Sequence, residues 1–425
     1  MLHNFTTLEI LSLSYVNISS PIPVNISSPL RYVDLEYTHL RCVLTESFFL
    51  LPNSLETLIL RGNDLLKGVL PKIHRSNTLL MELDISYTGI SGELPHSIGT
   101  FSSLNILYLG GCQFSGSIPD SIGNLTQITE LILSHNHFTG HIRSTISKLK
   151  HLTYLDLSVN SFSGEIPDVF SNLQELCSLY LYHNNFIGPF PASILNLTHL
   201  EFLDMSTNSL SGPLPSKESM LPKITKLDLS YNSLNGNLPQ LHYYSLEYLD
   251  LKFNSLQGPL PSSICNTSSL ILLDLSRNNF SNLIPSCLGS IANLIVLDLR
   301  KNNFTGSLPP LCAHSTSLST IVVNGNLFEG PVPVSLLKCN GLQVLDVGNN
   351  AINDTFPAWL GILQELQVLI LKSNKFHGPT STCQSKFCFP KLRIFDLSRN
   401  DFSGSLPAKV FGNFKAMIKL DGEDT

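Results

Sequence analysis

Leu152-Thr-Tyr-Leu155-Asp-Leu157-Ser-Val-Asn160-Ser-Phe162-Ser-Gly164-Glu-Ile166-Pro167 is the stretch that decides the fold, because 24 residues later the same frame returns as Leu176, Leu179, Leu181, Asn184, Phe186, Gly188, Phe190 and Pro191. Self-similarity at a fixed period of this size is the signature of a solenoid. Repeats of the form LxxLxLxxNxL/FxGxL/IP run from Leu8 to the one that opens at Leu392; seventeen can be placed, at spacings of 22 to 26 residues.

Each slot has a physical job. In the LxL core the alternation has period 2, so Leu155 and Leu157 point one way and Tyr154, Asp156 and Ser158 the other, as in a short strand buried on one face. Stacking then gives one parallel strand per repeat. An Asn after each strand can bond backbone through both ends of its amide. It is present at Asn63 and without a gap from Asn136 to Asn400, whereas Val16, Thr38, Thr88 and Cys112 hold the slot in early repeats. Gly in the SGxIP segment suits a left-handed backbone, and Asn282 and Asp354, which tolerate such angles, stand in where Gly is missing.

Across all 425 residues, 14% are charged, well below the roughly 25% of soluble domains. A formal charge of -6 removes the basic footprint that nucleic acid or an anionic bilayer requires. No apolar run reaches membrane-spanning length, so no membrane contact is expected of this segment. Nine Asn-x-Ser/Thr sequons, at Asn4, Asn17, Asn25, Asn124, Asn196, Asn266, Asn279, Asn303 and Asn353, point to a glycosylated extracellular chain, although Asn, Ser and Thr are abundant enough for some to be accidental.

No nucleotide, hydrolase or metalloprotease motif is present, and His135 and His137 flank Asn136 in the turn that ends the strand, which would direct them to opposite sides rather than to one metal. No metal, cofactor or enzymatic activity is expected. Asp recurs in the fifth slot, at 84, 156, 204, 228, 250, 274, 298, 346 and 396, with Lys226, Lys252, Arg277, Arg300 and Lys301 on the same face. This reads as a self-neutralising ladder rather than an acid and base pair, because like charges about 5 Å apart need an offset of about 1 kcal/mol per pair.

Binding residues are sought where the inner slots depart from LDLS. Tyr108, Tyr154, Tyr180, Tyr182, His183, Phe202, Tyr231, Tyr248 and Phe253 cluster there, and His135 joins them. Aromatic side chains on a polar face are common interface anchors, and they are also good strand formers, so both readings stand. Tyr154, Tyr180, Phe202, Tyr231 and Tyr248 fall in successive repeats and would form a stripe roughly 20 Å long. Of nine cysteines, Cys265 with Cys287, Cys312 with Cys339 and Cys383 with Cys388 form the preferred set of bridges, with other pairings permitted; Cys42, Cys112 and Cys177 read as thiols.

The segments Ser115-Gly-Ser-Ile-Pro119 and Ser163-Gly-Glu-Ile-Pro167 resemble plant-type leucine-rich repeats, over nearly the whole chain. Asn349-Asn-Ala-Ile-Asn353-Asp-Thr-Phe356-Pro-Ala-Trp359-Leu, Leu366-Gln-Val-Leu-Ile-Leu-Lys-Ser-Asn374-Lys-Phe-His-Gly378 and Phe389-Pro-Lys-Leu-Arg-Ile-Phe-Asp396 resemble plant receptor-like proteins of the Cf-type resistance class. The resemblance implies a leucine-rich repeat solenoid: a curved right-handed superhelix with a parallel β-sheet on its concave face and short 3-10 or α turns on its convex face. It implies one domain over residues 1–425, its repeats ending near Pro407, with 408–425 leading toward an island region and neither end capped. It further implies an extracellular protein or peptide ligand, and membrane receptor kinases as signalling partners at the plasma membrane. Two other readings share the repeat type: a soluble inhibitor of pathogen cell-wall hydrolases, and the ectodomain of a receptor kinase.

Overall fold

A computed structural model describes residues 7–18, 29–44, 54–72, 79–216, 221–240, 243–312, 317–380, 388–404 and 416. Each LxL core is a three-residue strand. In Tyr154–Asp156 the two flanking residues are half-buried while Leu155 is fully buried, as is Leu157 just beyond. A strand this short has no internal way to satisfy its backbone, so its bonds go to neighbouring coils: Tyr154 N–H to Thr129 O at 3.1 Å and Leu157 N–H to Tyr180 O at 2.9 Å.

The chain divides into two compact units, Met1–Ser211 and Gly212–Thr425. In the first, the strands Ile10–Ser12, Tyr32–Asp34, Thr57–Ile59, Glu82–Asp84, Ile106–Tyr108, Glu130–Ile132, Tyr154–Asp156, Ser178–Tyr180 and Phe202–Asp204 pair in parallel in chain order. Their register aligns Leu107, Leu131, Leu155, Leu179 and Leu203 in one buried row. In the second, Lys226–Asp228, Tyr248–Asp250, Leu272–Asp274, Val296–Asp298, Thr320–Val322, Val344–Asp346, Val368–Ile370 and Ile394–Asp396 do the same. Each Leu taken from water contributes about 1.5–3 kcal/mol, offset by the entropy of ordering its coil.

Sequence reasoning missed a second parallel ladder built from the SFSGE-type segments. Ser161–Glu165, for example, pairs with Asn185–Gly188 on one side and with His137–Gly140 on the other. The Phe of each segment faces inward, and Phe114, Phe138, Phe162 and Phe186 stack with centroids 5.9, 5.9 and 6.2 Å apart. The second unit repeats the arrangement with Phe280, Phe304 and Phe328 at 6.1 and 6.2 Å. After the Pro of SIP the chain turns through a 3-10 helix, as in Asp120–Asn124, where Pro119 at φ -70° fixes the entry and Ile122 fills the core. No α-helix occurs among the described residues.

The ladder Asn works through both ends of its amide. Asn160 Oδ1 accepts from Phe138 N–H at 3.0 Å, while its Nδ2 donates to Leu133 O at 2.9 Å, Leu157 O at 3.2 Å and Ser158 O at 3.1 Å. The early substitutes keep part of this: Thr38 Oγ1 donates to Leu35 O at 2.8 Å, Thr88 Oγ1 to Ile85 O at 2.8 Å and the buried Cys112 Sγ to Ile85 O at 3.1 Å. Gly164 and its counterparts are left-handed, and Asn282 joins them at φ 66°. Asp354 does not. Its carboxylate instead accepts the N–H of Val332 at 3.1 Å and of Thr355 at 2.7 Å, so the acid ties down the turn from outside the left-handed region.

A left-handed residue also precedes the ladder slot in every described repeat. In the first unit these are Tyr15, Tyr37, Gly62, Tyr87, Gly111, His135, Val159, His183 and Thr207; in the second, Tyr231, Phe253, Arg277, Lys301, Gly325, Asn349, Ser373 and Arg399, all with φ between 49° and 71°. Such angles cost a side-chain-bearing residue roughly 1–2 kcal/mol. Inter-coil hydrogen bonds impose them: Val159 N–H to Tyr182 O at 3.0 Å, then Asn160 N–H to His183 O at 3.2 Å. At Gly62 and Gly111 the preceding coil's ring covers the slot, whereas at Gly325 the nearest neighbour of an added Cβ is Lys301, 3.5 Å away. A Cβ on Gly62 would lie 2.3 Å from the Tyr37 ring, and one on Gly111 2.6 Å from that of Tyr87.

Candidate functional site

On the open face of the first unit's ladder, opposite the Leu row, strand periodicity aims alternate side chains at solvent. Tyr154 and Tyr180, on adjacent strands, lie 5.5 Å apart with rings tilted by 46°, and Tyr182 meets Tyr180 edge-on at 6.5 Å. Burial, then Asp156 and Tyr180, push the Tyr154 hydroxyl up to about 12. Phe202, 37% exposed, sits on the next strand beside Ser178, and His183 projects from its left-handed turn, exposed. Tyr108 lies two strands before Tyr154, its hydroxyl bonded to the Glu130 carboxylate; burial and that bond raise its pKa. Burial, then the charges of Asp84 and Glu130, push the Glu82 carboxyl up.

Glu82 and Glu130 were missed by sequence reasoning, which searched the third slot for rings alone. The same slot that gives Tyr154 gives Glu130 one repeat earlier and Glu82 two repeats before that.

In the second unit Tyr231 and Phe253, both left-handed, stack at 4.4 Å and 15°. The Arg277 guanidinium covers Phe253 at 4.5 Å, and the Lys252 ammonium lies 5.8 Å from the Tyr231 ring centre, 2.5 Å from Asp250 and 3.7 Å from Asp274. Tyr248, 39% exposed, stands in register with Lys226 and Leu272. Tyr154, Tyr180 and Phe202 therefore belong to one unit, and Tyr231 and Tyr248 to the other.

The fifth-slot Asp has a structural task beyond charge. Its Oδ1 accepts the N–H two residues on, from Ser158 at 2.9 Å in the first unit to Arg300 at 3.1 Å in the second, closing the strand into the turn. Neutralisation along the ladder is uneven. Lys252 and Arg300 pair with Asp250 and Asp298, whereas Arg277 spends its charge on a ring. Burial first, with Asp228 and Asp274 adding, pushes Asp250 up to about 6 against the Lys252 bond. Burial first, with Asp274 and Asp346 adding, likewise lifts Asp298 to about 6.

These raised values fix a sign. The folded state holds the two protons more tightly than the unfolded chain, where an Asp titrates near 3.8. Their stabilising contribution is thus complete below pH 4 and is lost as pH rises through 6. Asp298→Asn, which keeps the acceptor for Arg300 N–H, is expected to stabilise the second unit by about 1 kcal/mol at pH 7 and by nothing at pH 4. The ceiling for a shift of this size is about 3 kcal/mol. Denaturant unfolding of wild type and variant at both pH values checks it.

Disulfides join Cys265 to Cys287 and Cys312 to Cys339, with Cα atoms 5.5 and 5.6 Å apart, each clamping two neighbouring coils of the second unit. Cys388 is also disulfide-bonded, while Cys383 lies outside the described residues. Among the sequons, Asn17, Asn124, Asn196, Asn266, Asn279, Asn303 and Asn353 are exposed, and Asn4 and Asn25 lie outside the described residues. Asn124, Asn196 and Asn266 each end a 3-10 turn. No helix among the described residues is long and apolar enough to cross a membrane.

Comparisons with known proteins agree with this geometry. A family model described as leucine rich repeat matches residues 126–186 and 150–210, and a second of the same description matches 79–101, 103–125, 223–242, 245–267, 269–291 and 293–315. Receptor-like protein 54 of Arabidopsis thaliana is 49% identical over 49 residues, 12% of this chain and 6% of its own length. Receptor-like protein 19 of the same plant is 50% identical over 52 residues, 12% of this chain and 5% of its own. The aligned stretch therefore spans only a small part of these relatives. The ectodomain of the Arabidopsis thaliana membrane receptor kinase GASSHO1/SCHENGEN3, solved in complex with CASPARIAN STRIP INTEGRITY FACTOR 2, superposes with a TM-score of 0.81 at 31% identity, over 97% of this chain and 53% of that one. PEPR1 in its AtPEP1 complex gives 0.85 at 30% identity, over 98% and 62%. The plant peptide hormone receptor RGFR1, in complex with RGF2, gives 0.80 at 29%, over 96% and 73%. Repeat frame, stacked parallel ladders and matches converge: the chain belongs to the leucine-rich repeat family, with the fold of plant receptor ectodomains.

Proposed function

We propose that the chain is the extracellular recognition segment of a plant cell-surface receptor-like protein in defence or developmental signalling. It binds a protein or peptide on the open ladder face and acts through partner receptor kinases. The observation that carries this reading is the row of Tyr154, Tyr180, Tyr182 and Phe202, rings presented on a rigid sheet where they contribute nothing to the Leu core. Rigid aromatic groups give large contact area for little entropy. Receptors of the same fold that have been solved with peptides, RGFR1 with RGF2 among them, support the ligand class. Exposed sequons at the ends of the 3-10 turns fit glycans away from that face. The 31% identity to a membrane receptor kinase ectodomain favours, as a second reading, the ectodomain of such a kinase. The gene sequence beyond Thr425 separates the two, since only the second requires an intracellular kinase.

Replacing Tyr180, Tyr182 and Phe202 together by Ala in the full-length receptor is expected to weaken ligand binding by more than about 2 kcal/mol, roughly thirtyfold in Kd. Thermal unfolding should hardly move, because the buried Leu row is untouched. A triple variant that binds normally would leave the rings as strand formers and place recognition elsewhere.

A further inference from the structure

We infer that the second unit's open ladder face holds a site for an oxyanion of its partner, bound by Lys252, Ser276 and Arg300 and gated by Asp250 and Asp298. The site goes beyond the recognition reading above, because it does not draw on the rings of the first unit.

Three observations carry it. First, Lys252, Ser276 and Arg300 stand in one outward slot of three adjacent strands, two residues past the registered row Asp250, Asp274 and Asp298. Strands about 4.8 Å apart thus place one short hydroxyl between two long cations, the donor set that carboxylate, sulfate and phosphate groups take. Second, Ser276 departs from its counterparts. The hydroxyls of Ser86, Ser158, Ser206, Ser230 and Ser398 each donate to the Asp two residues back, at 2.5 to 2.7 Å. Ser276 keeps the backbone bond to Asp274, at 2.9 Å, but its Oγ has no partner although the residue is only 1% exposed. A buried hydroxyl left unpaired is costly, and an anion oxygen drawn between the two cations supplies its acceptor. Third, three carboxylates share the two cations: Lys252 lies 2.5 Å from Asp250 and 3.7 Å from Asp274, and Arg300 lies 3.1 Å from Asp298.

The carboxylates form the gate. While all three are ionised they hold Lys252 and Arg300 to themselves and repel an incoming anion. Burial lifts Asp250 and Asp298 to about 6, each against the pull of its cation. Near pH 5 the two cations therefore face Asp274 alone and can turn to an anion, uncovering Ser276 between them. The other charged groups nearby have their own places. Arg277 covers Phe253, with Lys301 one coil further on in the same left-handed row; Lys226 and Asp228 stand on the strand before Asp250, and Asp346, two strands past Asp298, binds Asn324 at 3.0 Å. Anion binding thus takes up protons and tightens as pH falls through 6.

The test titrates the intact 425-residue chain with sodium sulfate, whose charge is constant over this range, at about pH 5 and pH 7.5 and fixed ionic strength. Calorimetry and amide exchange are the readouts. Sulfate is expected to bind at least tenfold tighter at the lower pH and to protect the strands Tyr248–Asp250, Leu272–Asp274 and Val296–Asp298. D250N with D298N should bind at the higher pH as the wild type does at the lower. K252Q with R300Q should abolish binding at both. S276A should weaken binding at the lower pH at least threefold with Tm unchanged, since that hydroxyl has no bond to lose. R143Q with K148Q, which removes two cations of the first unit, should change nothing. Equal affinity at the two pH values, wild-type affinity in S276A or in K252Q with R300Q, or no gain in D250N with D298N would each overturn the inference. So would an equal loss in R143Q with K148Q, the mark of diffuse attraction. Should a double variant fail to fold, the wild-type pH pair and S276A still decide. Formate run in parallel names the source: a carboxylate if it binds as tightly as sulfate, a sulfated or phosphorylated group if it does not. Because sulfate is read without the natural ligand, its failure leaves the ring row of the first unit standing. Normal ligand binding by the triple Ala receptor would remove the ring row and leave this site.

Discussion

Phe162→Ala is expected to destabilise the first unit by about 3–5 kcal/mol, the usual loss for a large aromatic removed from a packed interior. Phe162 is fully buried and stacks between Phe138 at 5.9 Å and Phe186 at 6.2 Å, both within 6° of parallel. Neither neighbour can close the gap, because each ring is fixed by its own coil. In a solenoid the cost is borne by a repeat and its two interfaces rather than spread through the molecule. Amide exchange should therefore accelerate first in Ser161–Glu165 and in the flanking strands His137–Gly140 and Asn185–Gly188. Phe162→Leu should cost only about 1 kcal/mol, since Leu210 already occupies the equivalent slot fully buried. A loss below 1 kcal/mol for the Ala variant would show that the ring stack is decoration on the Leu row.

Asn184→Ala is expected to cost about 3 kcal/mol, by a different route. The side chain is buried and makes four bonds: it accepts from Phe162 N–H at 3.0 Å and donates to Leu157 O at 3.0 Å, Leu181 O at 3.2 Å and Tyr182 O at 3.2 Å. Removing it strands a buried N–H and weakens the satisfaction of three carbonyls, where one unmet buried group alone costs about 1–3 kcal/mol. Thr at this position should recover about 1 kcal/mol, since Thr88 shows that a hydroxyl keeps the bond to the carbonyl three residues back. Urea unfolding of the two variants side by side gives the comparison; equal losses would deny the amide its special role.

Much of this was legible because the Leu alternation, the ladder Asn and the Pro before most of the 3-10 turns are local signals, repeated until accident is excluded. The second ladder was not, because Ser161–Glu165 and its counterparts are short runs of Ser, Gly and Asn around one ring, with no strand propensity to read. Pairing between coils makes them strands. The left-handed row was hidden for a related reason: Tyr231, Phe253 and Arg277 have no preference for such angles and take them because inter-coil bonds leave no alternative. At the candidate site the rings were identifiable as departures from the repeat. The carboxylates among them were not, since Asp in the fifth slot is itself the consensus and Glu130 gained its meaning only when its strand was placed beside Tyr108 and Tyr154.

Tyr37 lying over Gly62, and Tyr87 over Gly111, bear on how such a chain can change over generations. A tandem array invites unequal crossing-over, in which whole repeats are gained, lost or traded. Yet a coil bearing a Tyr in that row needs a successor with a small residue, or with a ring that can stack as Tyr37 does on Tyr15 at 5.2 Å. The inherited unit is thus the pair of adjoining repeats, and a breakpoint that parts Tyr37 from Gly62 leaves a seam that further substitutions must repair.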